Sequence, residues 1–285
     1  MKPELIADYR CDCGEGPLWH PMEGRLYWVD IPKGRLFRYD PATGHHEQCH
    51  QGDVIGGFTI QADGALLLFM ARGAVKTWRD GRLTSIIEDI PEERDSRFND
   101  VIADPQGRVF CGTMPTANRK GRLWRLDRDG TVTMVLDNVG GANGLGFTPD
   151  RRKMYFTDSR AREICIFDYD RQSGEISNGR LFVRVAESLG IPDGMTVDAE
   201  GHVWSALWDG SSLVRFRPDG TLERRIKIPA PKVSSMTFGG PDYTDIYATT
   251  AGGGNKAQDG PGAGALFRLR LGIRGVPEFL SRVGL

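Results

Sequence analysis

The apolar positions of this chain fall in short runs separated by turn residues, and the same phrase returns six times. A small or polar residue opens a strand, a turn usually bearing Gly follows, and a second apolar run comes back. The first copy runs from Gly16-Pro-Leu-Trp19 to Gly24 and returns as Arg25-Leu-Tyr-Trp-Val-Asp30. The others open at Gly57, Asn99, Asn143, Asp193 and Ser234. Third runs follow in most copies, among them Arg35-Leu-Phe-Arg-Tyr39, Arg122-Leu-Trp-Arg-Leu126 and Ala265-Leu-Phe-Arg-Leu269. Their alternation of apolar and polar residues predicts half-buried strands. Asp-Gly, Glu-Gly and Thr-Gly pairs supply the hairpin turns.

A repeat of roughly 40 to 50 residues is the length of a propeller blade. The expected fold is therefore all-β, a six-bladed β-propeller, with residues 1–285 forming a single domain. Two stacked sheets would leave the regular period unexplained. A propeller leaves only short, protected edges. The strand around Leu5 to Tyr9 is accordingly expected to close the ring on the last blade.

Composition narrows the classes of partner. The chain has 285 residues, 39% hydrophobic and 26% charged, which suits a globular protein with a real core. Its formal net charge is −1 and its Arg residues are dispersed, so no global field draws nucleic acid or an anionic membrane. No stretch approaches the roughly 20 apolar residues of a spanning helix. Met1 to Tyr9 lacks the apolar segment of a signal peptide. Five cysteines, an odd number with no secretory signal, read as reduced thiols in a cytoplasmic protein. Cys11 and Cys13 have no second pair to complete a zinc quartet.

Repeat position converts into spatial position. Residues at the same phase of the innermost strands ring one mouth of the channel, and these are Glu15, Gly56, Asn99, Asn143, Asp193 and Ser234 or Ser235. Four carry strong oxygen donors and none a positive charge. Asn or Asp beside Gly often makes nothing more than a turn. Several at one phase, with Glu15 among them, instead suggest a site. Hard oxygen donors suit Ca²⁺, Mg²⁺ or Mn²⁺, and Zn²⁺ remains open. The ends of the second strands should line the same mouth: Asp30, Thr113-Met114, Asp158-Ser159 and Trp208-Asp209. Asp158 either orients Asn143 or caps its own turn. Arg97 lies two residues before Asn99 and so shares its side of an extended strand. It either holds substrate oxygens or is simply solvated. His45, His46 and His50 fall in an outer hairpin and not on a ligand-gathering helix.

These residues also resemble a known family, the senescence-marker-protein, regucalcin and gluconolactonase propellers. The matching phrases are Gly14-Glu15-Gly16-Pro17-Leu-Trp19, Tyr27-Trp-Val-Asp30-Ile31, Arg97-Phe-Asn99-Asp100, Gly112-Thr113-Met114, Asn143-Gly144-Leu145, Phe156-Thr-Asp158-Ser159 and Ile191-Pro192-Asp193-Gly194-Met195. They come in family order and cover nearly the whole chain. The resemblance implies that Glu15, Asn143 and Asp193 bind one divalent cation, Ca²⁺ foremost. It implies that Arg97 and Asn99 contact substrate and that Asp193 doubles as acid/base. The implied reaction is hydrolysis of a sugar-type lactone to the aldonic acid. A phosphotriester substrate and a cation-binding regulator without turnover are the alternatives. One departure bears on substrate. Family members that open gluconolactone carry an acid soon after Gly-Thr-Met, whereas here Pro115-Thr-Ala-Asn118-Arg-Lys120 follows.

Overall fold

The structure, a computed structural model, describes residues 2–285. Met1 lies outside them. After β1 (Glu4–Asp8) the chain builds blades of four antiparallel strands in succession. The first is β2 (Gly14–His20), β3 (Arg25–Asp30), β4 (Arg35–Tyr39) and β5 (His46–Gln51). The second is β6 (Ile55–Ile60), β7 (Leu66–Met70), β8 (Val75–Arg79) and β9 (Arg82–Ile87). The third is β10 (Phe98–Ala103), β11 (Val109–Thr113), β12 (Gly121–Leu126) and β13 (Val132–Val139). The fourth is β14 (Ala142–Phe147), β15 (Lys153–Asp158), β16 (Glu163–Tyr169) and β17 (Ile176–Arg184). The fifth is β18 (Ile191–Val197), β19 (Val203–Trp208), β20 (Ser212–Phe216) and β21 (Leu222–Lys227). The sixth is β22 (Val233–Gly239), β23 (Asp245–Thr250) and β24 (Ala265–Arg270), and β1 completes it by pairing with β24. The ring thus closes as the sequence predicts.

The core is a ring too. Six hydrophobic clusters fill the six gaps between neighbouring blades; Tyr27, Val29 and Leu36, for example, pack on Ile55, Phe58 and Leu68. Inner and middle strands are therefore buried on both faces, as β6 and β7 are throughout. The third strands β4, β8, β12 and β16 mix buried and partly exposed positions as expected, whereas β20 is buried along its whole length. Most apolar side chains pack between blades, and the channel is lined by a mixture in which Asp100, Thr237 and Glu278 stand beside Phe58, Met195 and Phe279.

Close contact at the axis depends on glycine. A Cβ on Gly56 would lie 2.0 Å from the Phe98 carbonyl oxygen, and one on Gly194 would lie 2.8 Å from the Ser235 Cα. Inner strands of adjacent blades touch there backbone to backbone. Gly56→Ala is expected to cost at least about 3 kcal/mol, since the clash is with main chain that no rotamer relieves. Chemical denaturation measures this, and a loss below about 1 kcal/mol would mean the blades can spread.

The C-terminal segment crosses the lower end of the channel as a strap. Gly275 N donates to Tyr243 O, Ser281 N to Ile60 O and Arg282 N to Gly107 O, each at 2.8 Å. Phe279 packs edge-on against Phe147. Glu278 and Phe279 face the channel cavity together with Asp100, Thr237 and Met195. Burial pushes the Glu278 carboxyl up to about 7, against a weak opposing bond from Thr196. An acid raised on folding binds more protons in the native state, so its stabilising contribution is whole below the unfolded value. It is lost as pH rises toward 7. Glu278→Gln should accordingly be neutral near pH 4 and stabilising at pH 8 by on the order of 1 kcal/mol. Thermal melts at the two pH values check it, and a variant less stable at pH 8 would contradict it.

Candidate metal centre

Every inner strand carries a register shift near its channel-mouth end: Glu15/Leu18, Ile55/Gly57, Phe98/Val101, Asn143/Leu145, Pro192/Met195 and Val233/Ser235. Such bulges re-aim side chains. Here they fall on or directly beside the residues that the repeat phase selected. Glu15, Asn99, Asn143 and Asp193 are all buried, none more than 8% exposed.

The electrostatics of this cluster are lopsided. Burial raises the Glu15 carboxyl well above its ordinary range, with the charges of Asp100 and Asp193 adding to it. Asp193 is raised well above its range by burial and then by Asp100, against the pull of Arg97. Asp100 is itself pushed up to about 7 by burial, again opposed by Arg97. Neither aspartate accepts a hydrogen bond from the described residues. Glu15 accepts one, from Gly16 N at 2.8 Å. Three carboxylates thus face one guanidinium, and Arg97 is itself depressed by burial. Carboxylates enclosed with so few protein partners are costly to charge, and three of them meet here against one guanidinium. The donors are all oxygens, which fits a hard divalent ion.

Hydrogen bonds link the amides of the mouth. Arg97 Nη1 donates to Asn99 Oδ1 at 2.7 Å and to the Phe98 carbonyl at 2.8 Å. Asn99 Nδ2 donates to Asn143 Oδ1 at 2.5 Å, and Asn143 Nδ2 to Ser159 Oγ at 2.7 Å. Arg97 is therefore tied into the site and is not a freely solvated side chain.

Several second-strand ends have other duties. Asp158 accepts from Gly140 N at 2.7 Å and Gly141 N at 3.0 Å, so it caps a turn and Ser159 makes the contact to Asn143. Asp30 is paired with Arg35 and accepts from Cys13 N. Trp208 lies under Lys232, 5.8 Å from ring centroid to ammonium. Ser234 donates to Gly14 O, while Ser235 faces the cavity. His46 is an exposed partner of Tyr9 on the outer strand β5, as an outer hairpin implies.

Asp100 was absent from the residues selected by phase. On a regular strand it would point away from Asn99. The bulge between Phe98 and Val101 leaves Asn99 and Asp100 unpaired, and both reach the axis. The signal available in the sequence was the acid inside Arg97-Phe-Asn99-Asp100.

A second group of ligating residue types, Asp198, Glu200 and His202, lies at the opposite end of β18. It already has its cation: Arg215 donates to Asp198 at 2.8 Å and to Glu200 at 2.6 Å. Trp204 Nε1 and the Glu200 and His202 amides fill the remaining Asp198 lone pairs. That group stitches a blade turn.

Residues 13–252 match the family profile described as the SMP-30/Gluconolactonase/LRE-like region. The chain is 52% identical to pentonolactonase XacC of Haloferax volcanii, over 100% of both sequences. It is 32% identical to regucalcin of Gallus gallus, over 98% of each. Among solved structures, a luciferin-regenerating enzyme superposes with a TM-score of 0.90 at 30% identity, covering 99% of this chain and 100% of that one. No helix among the described residues is long and apolar enough to cross a membrane.

Proposed function

The chain belongs to the SMP-30/Gluconolactonase/LRE-like family, and from that premise we propose that it is a cation-dependent lactonase that opens a sugar-type lactone to the aldonic acid. The observation that carries this reading is the uncompensated negative charge at the mouth, where Glu15, Asp100 and Asp193 face Arg97 alone. Glu15, Asn143 and Asp193 would hold one divalent cation, Ca²⁺ first, with Zn²⁺, Mn²⁺ and Mg²⁺ as alternatives. Asp100 adds negative potential from the channel side. When bound, a dication polarises a lactone carbonyl and stabilises the negative charge that develops on its oxygen.

The chain's own residues supply the rest. Arg97 commits one guanidinium nitrogen to Asn99 and keeps the others for substrate oxygens. Asn99, fixed between Arg97, Ala142 and Asn143, has both amide hydrogens committed and keeps a lone pair on Oδ1 to accept from a substrate hydroxyl. Asp193 has an oxygen free for proton transfer, assisting water attack and then returning a proton to the leaving alkoxide.

Five-carbon aldonolactones are the first substrates to try, because the 52%-identical relative is a pentonolactonase. A screen of five- and six-carbon aldonolactones with each metal, read by acid release with a pH indicator, tests the proposal. A five-carbon lactone should turn over with Ca²⁺ or another dication and stop on chelation. Cation binding with no turnover of any lactone would favour the regulatory reading, and turnover of an organophosphate alone would favour the phosphotriesterase.

A further inference from the structure

The hydrogen bonds of the mouth form a one-way chain whose direction is set at both ends. Arg97 can only donate, and it gives to Asn99 Oδ1 at 2.7 Å. The Asn99 amide nitrogen is then left to donate, to the Ala142 carbonyl at 2.9 Å and to Asn143 Oδ1 at 2.5 Å. Asn143 Nδ2 passes the sense on to Ser159 Oγ at 2.7 Å. At the far end the Pro192 carbonyl can only accept, and it takes the single hydroxyl proton of Ser159 at 2.5 Å. With that proton committed, Ser159 meets Asn143 as an acceptor, so it selects the NH₂ side of the amide. The carbonyl side of Asn143 is turned away from Ser159.

We propose that Ser159 is a positioning residue for the cation site. Together with the Asn99 donor, it holds the Asn143 amide in the one orientation that leaves the second lone pair of Oδ1, and not the NH₂ group, for a cation. The same hydroxyl ties the backbone carbonyl just before Asp193 to the blade that carries Asn143, so two of the three ligand residues are registered by one atom. Ser159 is well enclosed, at 9% exposure, so water does not readily replace its hydroxyl. Without it, Asn143 Nδ2 and Pro192 O each lose a partner and the amide is held only by Asn99. This inference rests on the cation reading of the mouth.

Calorimetric titration of the full chain with CaCl₂ tests it, using the wild type, Ser159→Ala, Asn143→Asp and the double variant, with thermal melts to verify folding. The wild type should bind one Ca²⁺. Ser159→Ala should weaken binding by about 10- to 100-fold, the usual loss when a group that orients a ligand is removed. In the Asn143→Asp background the two carboxylate oxygens are equivalent and nothing needs orienting. There the same substitution should cost less than about threefold. Should Ser159→Ala fail to fold, the isosteric Ser159→Cys, a poor acceptor, should give the same weakening. Unchanged affinity in the single variant, or an equal loss in both backgrounds, would overturn the role of Ser159 while leaving the cation site standing. A wild type that binds neither Ca²⁺ nor, in a parallel titration with MnCl₂, Mn²⁺ would remove the site itself.

Discussion

Asp193→Asn is expected to lower kcat for a lactone by at least about a thousandfold while leaving the fold intact. General acid–base transfer alone contributes about 10²- to 10⁴-fold, and the substitution also withdraws a charge from the cation site. Asp193 is the group proposed to move the proton, being buried and free of protein hydrogen bonds. The same features give a second sign. Burial and the neighbouring Asp100 disfavour the Asp193 charge in the folded chain, so the native state holds its proton more tightly than the unfolded chain does. Stability from that group is whole at acid pH and lost as pH rises. The Asn variant without cation should therefore melt higher than the wild type at pH 8 and no higher near pH 4. Steady-state kinetics and melts at the two pH values read both effects. Near-wild-type kcat would remove Asp193 from the chemistry, and a lower melting temperature at pH 8 would contradict the electrostatics.

Removing the cation should abolish turnover and steepen the dependence of stability on pH. Glu15, Asp100 and Asp193 are all raised, so the chelated protein should lose stability from about pH 5 upward, through the value near 7 for Asp100. Saturating cation supplies the missing positive charge and should flatten that slope. At a hundred times its Kd the ion adds about 2.7 kcal/mol. Melts from pH 5 to 8 with chelator and with Ca²⁺ provide the comparison. Parallel curves would mean that the cation does not meet these carboxylates.

The propeller was legible because its repeat is written in the inner and middle strands, where burial on two faces demands apolar runs. The outermost strands were not. β9 (Arg82–Ile87) is exposed along nearly all of its length, so its pairing with β8 leaves little hydrophobic pattern. The strap after β24 lies outside the repeat and is held by backbone bonds to Ile60, Gly107 and Tyr243 among others, and by side-chain bonds from Thr59 and Gln61 to Ser281 and Val283. Periodicity carries no trace of such contacts.

At the mouth, phase alone selected Glu15, Asn99, Asn143 and Asp193, and the fold buries all four. Two refinements escaped it. Asp100 reaches the axis only because a bulge breaks the alternation that would have turned it away. The partner of Asn143 is Ser159 and not Asp158, a difference of one residue at a turn where the Asp158 carboxylate is drawn to the Gly140 and Gly141 amides. Turn geometry of that kind depends on backbone direction, which strand periodicity does not specify.

Anomalous diffraction from crystals grown with Mn²⁺ asks most directly whether Glu15, Asn143 and Asp193 serve a single ion. The expected result is one strong peak at the channel mouth, within about 2.6 Å of an oxygen from each of the three side chains. A peak beside Asp198, Glu200 and His202 instead, or a mouth whose three side chains stand too far apart to reach one ion, would contradict it.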